Sequence, residues 1–500
     1  MHTSMPLLLL LVLLLLADSA QASAPSVALV GATGNLAAKY LWQALFDLHR
    51  EGLVGKVYGG ATKPPEKGTG LIMGVIDEKV KCPAAHPSAA SCTDATVAEF
   101  KESVTYVQLR GEDHYAALAE TIKADDAEGL LVYLSVSPDY YGDISAHISA
   151  HLRPAVGDGW MRVVMEKPFG RDSASASALA EAVDAQLRPE EVCKVDHYLG
   201  KAAVNDIASF RGANRATYEP LLSHRFVQEI EVVMQETEDC EGRTAFFERY
   251  GIVRDVLQNH LSEMLGLATG ELEPVAPGLT GADLVNRTAL LIDVPAPSMA
   301  EATFGQYAGY KQHVAEDGGT EADAPTAAVV NLKIDSARWR GVPITMKVGK
   351  TLDTREAFLR IVFKQDAFPK NQPKGPGPPE LRFQIQGGAG AMISVSSALP
   401  MPDWPAGWEA VDGPASIPHQ RSAALVATPP PAYHVLMRAA VLGKMGSFVS
   451  TEELMELWRV WTPLVAGWDG QESPRPVVYT PGSARADWVS ATQDAQGKEL

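Results

Sequence analysis

The chain has 500 residues, 46% of them hydrophobic, with 61 acidic against 43 basic side chains and a net charge of −18. That balance argues against nucleic acid and anionic membrane surfaces as partners, and a site for an anionic substrate must gather its own cations. The length fits two domains with substantial cores; no internal repeat and no Cys/His cluster with metal-ligand spacing is present, so no metal is expected.

Residues 7–16 are almost pure leucine, too short a run to span a bilayer at about 20 residues but right for a signal-peptide core. Small residues follow, so residues 1–24 read as a leader cleaved after Ala22 or Ala24. The segment before the run carries His2 but no Lys or Arg, which leaves a retained anchor as the rival reading. No later apolar stretch is long enough for a membrane span, so the mature protein is expected to be free of the membrane.

Ser26-Val27-Ala28-Leu29-Val30 reads as a short buried strand. It runs into Gly31-Ala32-Thr33-Gly34-Asn35-Leu36 and then into Leu41, Ala44, Leu45 and Leu48 at helical spacing. A glycine turn between a strand and a helix N-terminus favours a pyrophosphate, although Leu36 replaces the usual third glycine and a plain turn stays open. Further apolar strands at 54–59, 104–109, 130–136 and 161–165 alternate with helical stretches. They predict a doubly wound parallel sheet, a Rossmann-like α/β domain over 25–200. Glu166-Lys167-Pro168 follows the last of these strands, which puts Lys167 at the carboxyl-end crevice where such folds bind ligands.

A leader implies an oxidising compartment in which a disulfide persists. Cys82 and Cys92 bracket a short Pro/Ala/Ser-rich loop that is easy to close, and they are expected to be bridged. Cys193 and Cys240 are expected as free thiols, with pairing to each other left open. Asn286-Arg287-Thr288 is a sequon available for glycosylation in the same compartment.

The segment Lys194-Val195-Asp196-His197-Tyr198-Leu199-Gly200-Lys201 gathers an acid, several donors and an ammonium, the groups needed to hold an anion and move a proton beside it. In a strand Asp196 and Tyr198 face one way and His197 the other, so a bend at Gly200 is needed to bring Lys201 round. The bland alternative is a strand end running into a helix. In Gly251–His260, Val253, Val256 and Leu257 form an apolar helical stripe with Asp255 and His260 off it. A histidine placed so titrates where a general base works, though a structural role stays open. Strands at 228–235, 327–334, 345–348, 358–364 and 380–386 predict an antiparallel sheet in a larger α+β domain over 201–500. The Pro/Gly-rich segments 366–380 and 399–431 read as surface loops. The C-terminal Gly497-Lys498-Glu499-Leu500 shares only its last two residues with a K-D-E-L retrieval signal.

Gly31–Leu36, Glu166-Lys167-Pro168-Phe169-Gly170, Asp196–Lys201, Arg254-Asp255-Val256-Leu257-Gln258-Asn259-His260, Gly341-Val342-Pro343 and Gly349-Lys350-Thr351-Leu352-Asp353-Thr354-Arg355 together resemble the glucose-6-phosphate dehydrogenase family over roughly residues 26–480. The leader, the Cys82/Cys92 pair, Lys39-Tyr40-Leu41-Trp42-Gln43 and Tyr250–Leu261 resemble the hexose-6-phosphate dehydrogenase branch of the endoplasmic reticulum lumen, dehydrogenase part only. The resemblance implies oxidation of a hexose 6-phosphate at C1 to the 1,5-lactone, with hydride transfer to NADP or NAD. That is the first step of the oxidative pentose phosphate pathway, located in the endoplasmic reticulum lumen or, alternatively, secreted. It implies His260 as base and Asp196 as its partner. His197, Tyr198 and Lys201 would grip the phosphate, Lys350 and Arg355 add charge, and Glu236 and Asp255 accept from sugar hydroxyls. Lys167 would lie between cofactor and sugar. Gly31, Thr33, Gly34, Asn35, Leu36, Thr62 and Tyr141 would line the cofactor, the proline after Lys167 is commonly cis in the family, and a homodimer through the second domain is expected.

Departures matter as much. Gln235 stands where the family has Lys before Glu236. Thr62 stands where NADP-specific members have Arg, so both cofactors are expected to work, with Lys63 a partial substitute. Asn35 replaces a common Asp, and Glu356 follows Arg355 where some members have Lys, which leaves a second, structural NADP site open. Without a lactonase domain, the lactone is expected to be released. Two other readings are a glucose-fructose-oxidoreductase-like enzyme acting on uncharged sugars, against which the cations argue, and a sensor without catalysis, against which His260 and Asp196 argue.

Overall fold

The computed structural model describes residues 24–82, 92–125, 127–368, 378–388, 390–411, 420–425, 428–470 and 475–484. The expected leader, the inside of the Cys82–Cys92 loop, the centre of the 366–380 loop and the Gly-Lys-Glu-Leu tail lie outside the described residues. The chain forms two compact units. One comprises Met1–Glu166, Ala182–Cys193 and Met437–Gly443, the other Lys167–Glu181, Lys194–Leu436 and Lys444–Leu500.

The first unit is built on strands β1 (Ser26–Val30), β2 (Val57–Ala61), β3 (Val104–Gln108), β4 (Gly129–Leu134), β5 (Trp160–Met165) and β6 (Val192–Lys194), in the order β3-β2-β1-β4-β5-β6. β1 pairs in parallel with both β2 and β4. Every residue of β1, β2 and β4 is buried, which is why these strands read as continuous apolar runs rather than alternating ones. This is the doubly wound sheet expected from the sequence, and its order reverses between β1 and β4, where such sheets open a ligand crevice. Cys82 and Cys92 are joined in a disulfide; Cys193 and Cys240 are buried thiols outside any disulfide.

The second unit carries β7 (Val227–Gln235), β8 (Glu271–Leu272), β9 (Val285–Asn286), β10 (Ala302–Tyr307), β11 (Ala327–Leu332), β12 (Ile344–Gly349), β13 (Glu356–Phe363), β14 (Glu380–Gln386), β15 (Met392–Ser396), β16 (Trp408–Val411), β17 (Gln420–Leu425) and β18 (Val477–Tyr479). β8 and β9 pair with each other, and the others form a ten-stranded sheet in the order β16-β17-β15-β14-β13-β7-β12-β11-β10-β18. Most neighbours are antiparallel, as expected, but β7 runs parallel to β12 and β10 parallel to β18. The stretch 399–431, read from its prolines as a loop, contains β16 and β17: short strands with little periodicity still complete the sheet by backbone pairing. Against this sheet pack helices whose core includes Leu257, Leu261, Met264, Leu457, Trp458 and Trp461, each at most 2% exposed. Trp461 Nε1 donates to Ser262 Oγ at 2.9 Å and Trp458 Nε1 to the Phe169 carbonyl at 2.8 Å. Among the described residues no helix is long and apolar enough to cross a membrane.

Candidate active site

Sheet register assembles one half of the site. Gln235, the last residue of β7, lies opposite Gly349 on β12 and Glu356 on β13. Glu236, Lys350 and Arg355, far apart in sequence, therefore emerge from adjacent strand ends. Glu236 N donates to the Gly349 carbonyl at 2.9 Å, and Lys350 Nζ donates to Glu236 Oε2 at 2.8 Å. Burial opposes the charge on Lys350, but Glu236 and then Asp255 more than restore it and raise the ammonium above its ordinary range. Arg355 stands at an exposed rim and pairs with Glu238 at 2.7 Å. Gln235 turns its amide to Thr354, donating to Oγ1 at 2.5 Å and to the carbonyl at 3.2 Å, so it adds no charge to the site. Thr351, between Lys350 and Leu352, has φ +51°, a left-handed conformation that strains a β-branched residue and often marks functional positions.

The other half is the turn after β6. Leu199 N donates to the Asp196 carbonyl at 3.0 Å, Gly200 N to His197 at 3.2 Å and Lys201 N to Tyr198 at 2.9 Å. The bend thus starts at Asp196, not at Gly200, and the alternating placement of Asp196, His197 and Tyr198 is corrected: all three surround His260. His260 Nδ1 lies 2.6 Å from Asp196 Oδ1, which also accepts from Tyr198 N at 2.8 Å. The Tyr198 ring stacks on His260 with centroids 4.4 Å apart, and His197 meets it edge-on at 4.4 Å. The Tyr198 hydroxyl lies 3.5 Å from Met234 Sδ, while its ring walls His260. Lys201 Nζ sits 3.7 Å over the Tyr198 ring and donates to Gln386 Oε1 at 3.1 Å. Burial, with Arg355 beside it, lowers Lys201 to about 8.

His260 is carried by a π-helical stretch, Val253–Leu261, that starts afresh after Gly251, whose φ of +63° breaks it from the preceding helix Thr244–Ile252. Such wide turns recur at functional sites. Asn259 serves the widened turn, donating from Nδ2 to the Arg254 carbonyl at 2.9 Å and accepting from His260 N at 2.8 Å; sequence reasoning gave it no role. The histidine expected off the apolar stripe is only 4% exposed, because aromatic neighbours from the 196–201 turn cover it. Burial lowers His260 below its ordinary value against the pull of Asp196. Burial raises Asp196, but His260, His197 and Lys167 more than reverse this and hold the carboxyl below the usual carboxylate range. Asp196 is thus a carboxylate able to accept from Nδ1–H, and that tautomer leaves Nε2 unprotonated. Lys167, followed by a cis peptide bond to Pro168, donates from Nζ to the Asp255 carbonyl at 2.7 Å and lies 3.4 Å from Asp255 Oδ1. Asp196, His197 and His260 also bring three possible metal ligands within 4.8 Å of one another, a grouping invisible in their spacing.

In the first unit the expected cofactor turn closes β1. Gly31 has φ +87°, and a Cβ there would lie 2.2 Å from the Ser135 carbonyl oxygen, so the turn requires glycine. Gly34 N donates to the Gly31 carbonyl at 2.9 Å, Asn35 is exposed and a helix opens at Asn35-Leu36, whose first-turn amides lie ahead of the intrahelical ladder. Those donors with Thr33 beside them fit a pyrophosphate. Thr62 is exposed at the end of β2, and its carbonyl accepts from Arg110 Nε at 2.7 Å. Besides the adjacent Lys63, Arg110, contributed after β3, is thus a cation at the Thr62 position, and the sequence reading did not single it out. Tyr141, expected against the cofactor, is fully buried; its hydroxyl donates to the Glu166 carbonyl and accepts from Glu166 N, both at 2.9 Å. Its observed contact is with the backbone before Lys167. Asn286 is exposed, and its Oδ1 accepts from Ala289 N at 3.0 Å, capping the helix Arg287–Ile292.

Two family models match: the glucose-6-phosphate dehydrogenase NAD binding domain over residues 28–206 and the glucose-6-phosphate dehydrogenase C-terminal domain over 208–499. The chain is 35% identical over 477 residues to the GDH/6PGL endoplasmic bifunctional protein of Homo sapiens, covering 88% of this chain and 59% of that protein. The Oryctolagus cuniculus protein of the same name is 36% identical over 470 residues, covering 88% and 58%. The chain thus spans less than two thirds of the length of these relatives. A solved glucose-6-phosphate dehydrogenase in complex with its substrate glucose 6-phosphate superimposes with a TM-score of 0.76 at 26% identity, covering 96% of this chain and 99% of that one. The Mycobacterium avium glucose-6-phosphate 1-dehydrogenase gives a TM-score of 0.73 at 25% identity, covering 96% and 98%. The chain belongs to the glucose-6-phosphate dehydrogenase family.

Proposed function

We propose that this protein oxidises glucose 6-phosphate at C1 to 6-phosphoglucono-1,5-lactone. The single observation that carries the reading is the buried His260–Asp196 pair ringed by cations. Oxidation of a C1 alcohol needs a base for its hydroxyl proton, and His260 Nε2 takes it. Asp196 fixes Nδ1–H by its 2.6 Å contact and stabilises the imidazolium as it forms. Lys201, His197 and the rim cation Arg355 receive the phosphate. Glu236 and Asp255, held by Lys350 and Lys167, accept from the sugar hydroxyls. A neutral sugar leaves these cations unused, which favours the phosphorylated substrate.

A nicotinamide cofactor supplies the hydride acceptor when bound. Gly31, Thr33, Gly34, Asn35 and Leu36 would hold its pyrophosphate, and Thr62 the adenosine end. No carboxylate stands at Thr62 to select a ribose 2′-hydroxyl, and Arg110 there offers charge to a 2′-phosphate; we infer that NADP is preferred and NAD accepted. The leader, the disulfide and the exposed Asn286 support placement in the endoplasmic reticulum lumen, with secretion as the alternative, and the family supports a homodimer.

The test is a steady-state rate for residues 25–500 with glucose 6-phosphate, crossing NADP with NAD and using free glucose as control. Turnover with the phosphorylated sugar, lost in His260→Ala, is expected. A folded protein that binds cofactor yet turns over neither sugar would refute the reading.

A further inference from the structure

Beside the His260–Asp196 pair, on the side that Lys167 and the helix Thr451–Asp469 enclose, lies a small cavity of about 30 Å³. Asp196, Asn259, Glu263 and Trp458 are among its lining residues. Two side chains in its wall carry buried oxygens without a well-aligned hydrogen bond: Asp196 Oδ2 and the carboxyl of Glu263, whose Oε2 has only the ion-pair contact with Arg287. Asp196 is 2% exposed and Glu263 1%. Buried polar atoms are rarely left so, and a polar cavity of more than about 15 Å³ admits water.

Glu263 lies one turn beyond His260 and faces Arg287 and Glu453. The guanidinium is directed elsewhere: Nε donates to Glu453 Oε1 at 2.7 Å, Nη2 to Glu453 Oε2 at 2.9 Å and Nη1 to the Gly446 carbonyl at 3.2 Å. Arg287 Nε is also 2.8 Å from Glu263 Oε2, but a single N–H cannot serve both carboxylates well. Burial first, then Glu453, raises Glu263 well above the usual carboxyl range despite Arg287. A carboxyl with this shift can present one oxygen to the Arg287–Glu453 pair and leave the other as an acceptor toward the cavity.

We propose that Glu263 is a positioning residue for the His260–Asp196 pair, acting through water bound in this cavity. The water donates one hydrogen to Asp196 Oδ2 and the other to the free oxygen of Glu263. Asp196 is then held at both oxygens, by His260 and Tyr198 N on Oδ1 and by water on Oδ2, and its basicity toward His260 is moderated. The role assumes the base assignment proposed above, and the readout is chosen to be independent of turnover.

The charged groups that face the pair are Lys167, Lys201, Asp255 and His197 around His260 and Asp196, and Arg287 and Glu453 around Glu263. All of them are kept in the variants. Glu263→Gln retains an amide donor to Glu453 and a carbonyl acceptor for water; Glu263→Met retains neither. The His260 ring is titrated by NMR in the cofactor-free full chain labelled at histidine nitrogen. Losing the water makes Asp196 the stronger partner, so in Glu263→Met the His260 pKa is expected to rise by about 0.5–1 unit, while Glu263→Gln keeps the wild-type titration. A folded Glu263→Met with an unchanged titration overturns the proposal. So does a wild-type crystal structure fine enough to place water that shows this cavity dry, a measurement that stands even if Glu263→Met fails to fold. Wild type that titrates as expected but does not oxidise glucose 6-phosphate would instead sink the reaction and leave the water site standing.

Discussion

Replacing Asp196 by Asn tests how much the buried carboxylate contributes. The substitution keeps the volume and can keep the hydrogen bond to Tyr198 N, but it removes the charge 2.6 Å from His260 Nδ1. At an effective dielectric of about 20, unit charges about 4 Å apart attract by about 4 kcal/mol. That attraction exists only once His260 is protonated, so it is lost from the transition state and not from the ground state, and about 4 kcal/mol corresponds to roughly a thousandfold in rate. The expected result is therefore a fall in kcat of about a thousandfold, with KM for glucose 6-phosphate changed less than about threefold. The sign for pH follows from the same charge. Asp196 raises the His260 pKa, so its removal moves the acid limb of kcat/KM further down, below a wild-type limb that burial already places under the ordinary histidine value. Steady-state rates across pH for both proteins, with near-UV circular dichroism to show an intact fold, decide it. An Asn variant keeping a tenth of wild-type kcat, or one whose loss lies wholly in KM, would refute the assignment of His260 as base and Asp196 as its partner.

Lys201, lowered to about 8, loses its charge as pH rises through that value. KM for glucose 6-phosphate is therefore expected to climb above pH 8 while kcat stays level, and a KM flat to pH 9.5, about one and a half units beyond, would remove Lys201 from the phosphate site. Arg110→Ala should weaken NADP binding by about tenfold, the worth of one exposed charge-assisted contact, and leave NAD unchanged; titration calorimetry with each nucleotide measures this directly, and equal losses would mean that Arg110 does not read the 2′-phosphate. Opening the Cys82–Cys92 bridge, whose partners are 10 residues apart, should lower stability by up to about 2.7 kcal/mol on chain-closure grounds. Denaturant midpoints for Cys92→Ser and wild type compare it, and coincident curves would show that the loop is held closed by other contacts.

The parts of this molecule legible in the sequence are those where a local rule decides. β1 could be read because a parallel strand buried on both faces must be apolar throughout, and Gly31 because the backbone of Ser135 leaves no room for a Cβ. His260 was legible by type, not by environment. A helical wheel set His260 off the buried stripe, yet the wider turns of Val253–Leu261 and the covering rings of His197 and Tyr198 bury it. Burial changes the chemistry: it is the largest influence that lowers His260 and favours its neutral form. Lys167, Lys201, Lys350 and Arg355 were named as the cations of the site, but how they pair was out of reach for a different reason. Lys350 meets Glu236 only because β7 runs parallel to β12 with Gly349 opposite Gln235, and register between distant strands follows from the whole sheet.

Arg110 and Glu263 make the same point from the other side. Neither falls in a segment that the sequence reading singled out, since one is an exposed residue after β3 and the other a carboxyl one turn past the base. Each gains meaning from what the fold places against it: the Thr62 carbonyl at 2.7 Å for Arg110, and the Arg287–Glu453 pair with the orphan oxygen of Asp196 for Glu263. A motif marks which residues react, whereas the charge and water that tune them are set by neighbours with no fixed spacing. Cofactor preference and the acid limb of the rate profile therefore have to be argued from contacts, and Arg110→Ala and Glu263→Met probe those contacts without touching the atoms that react.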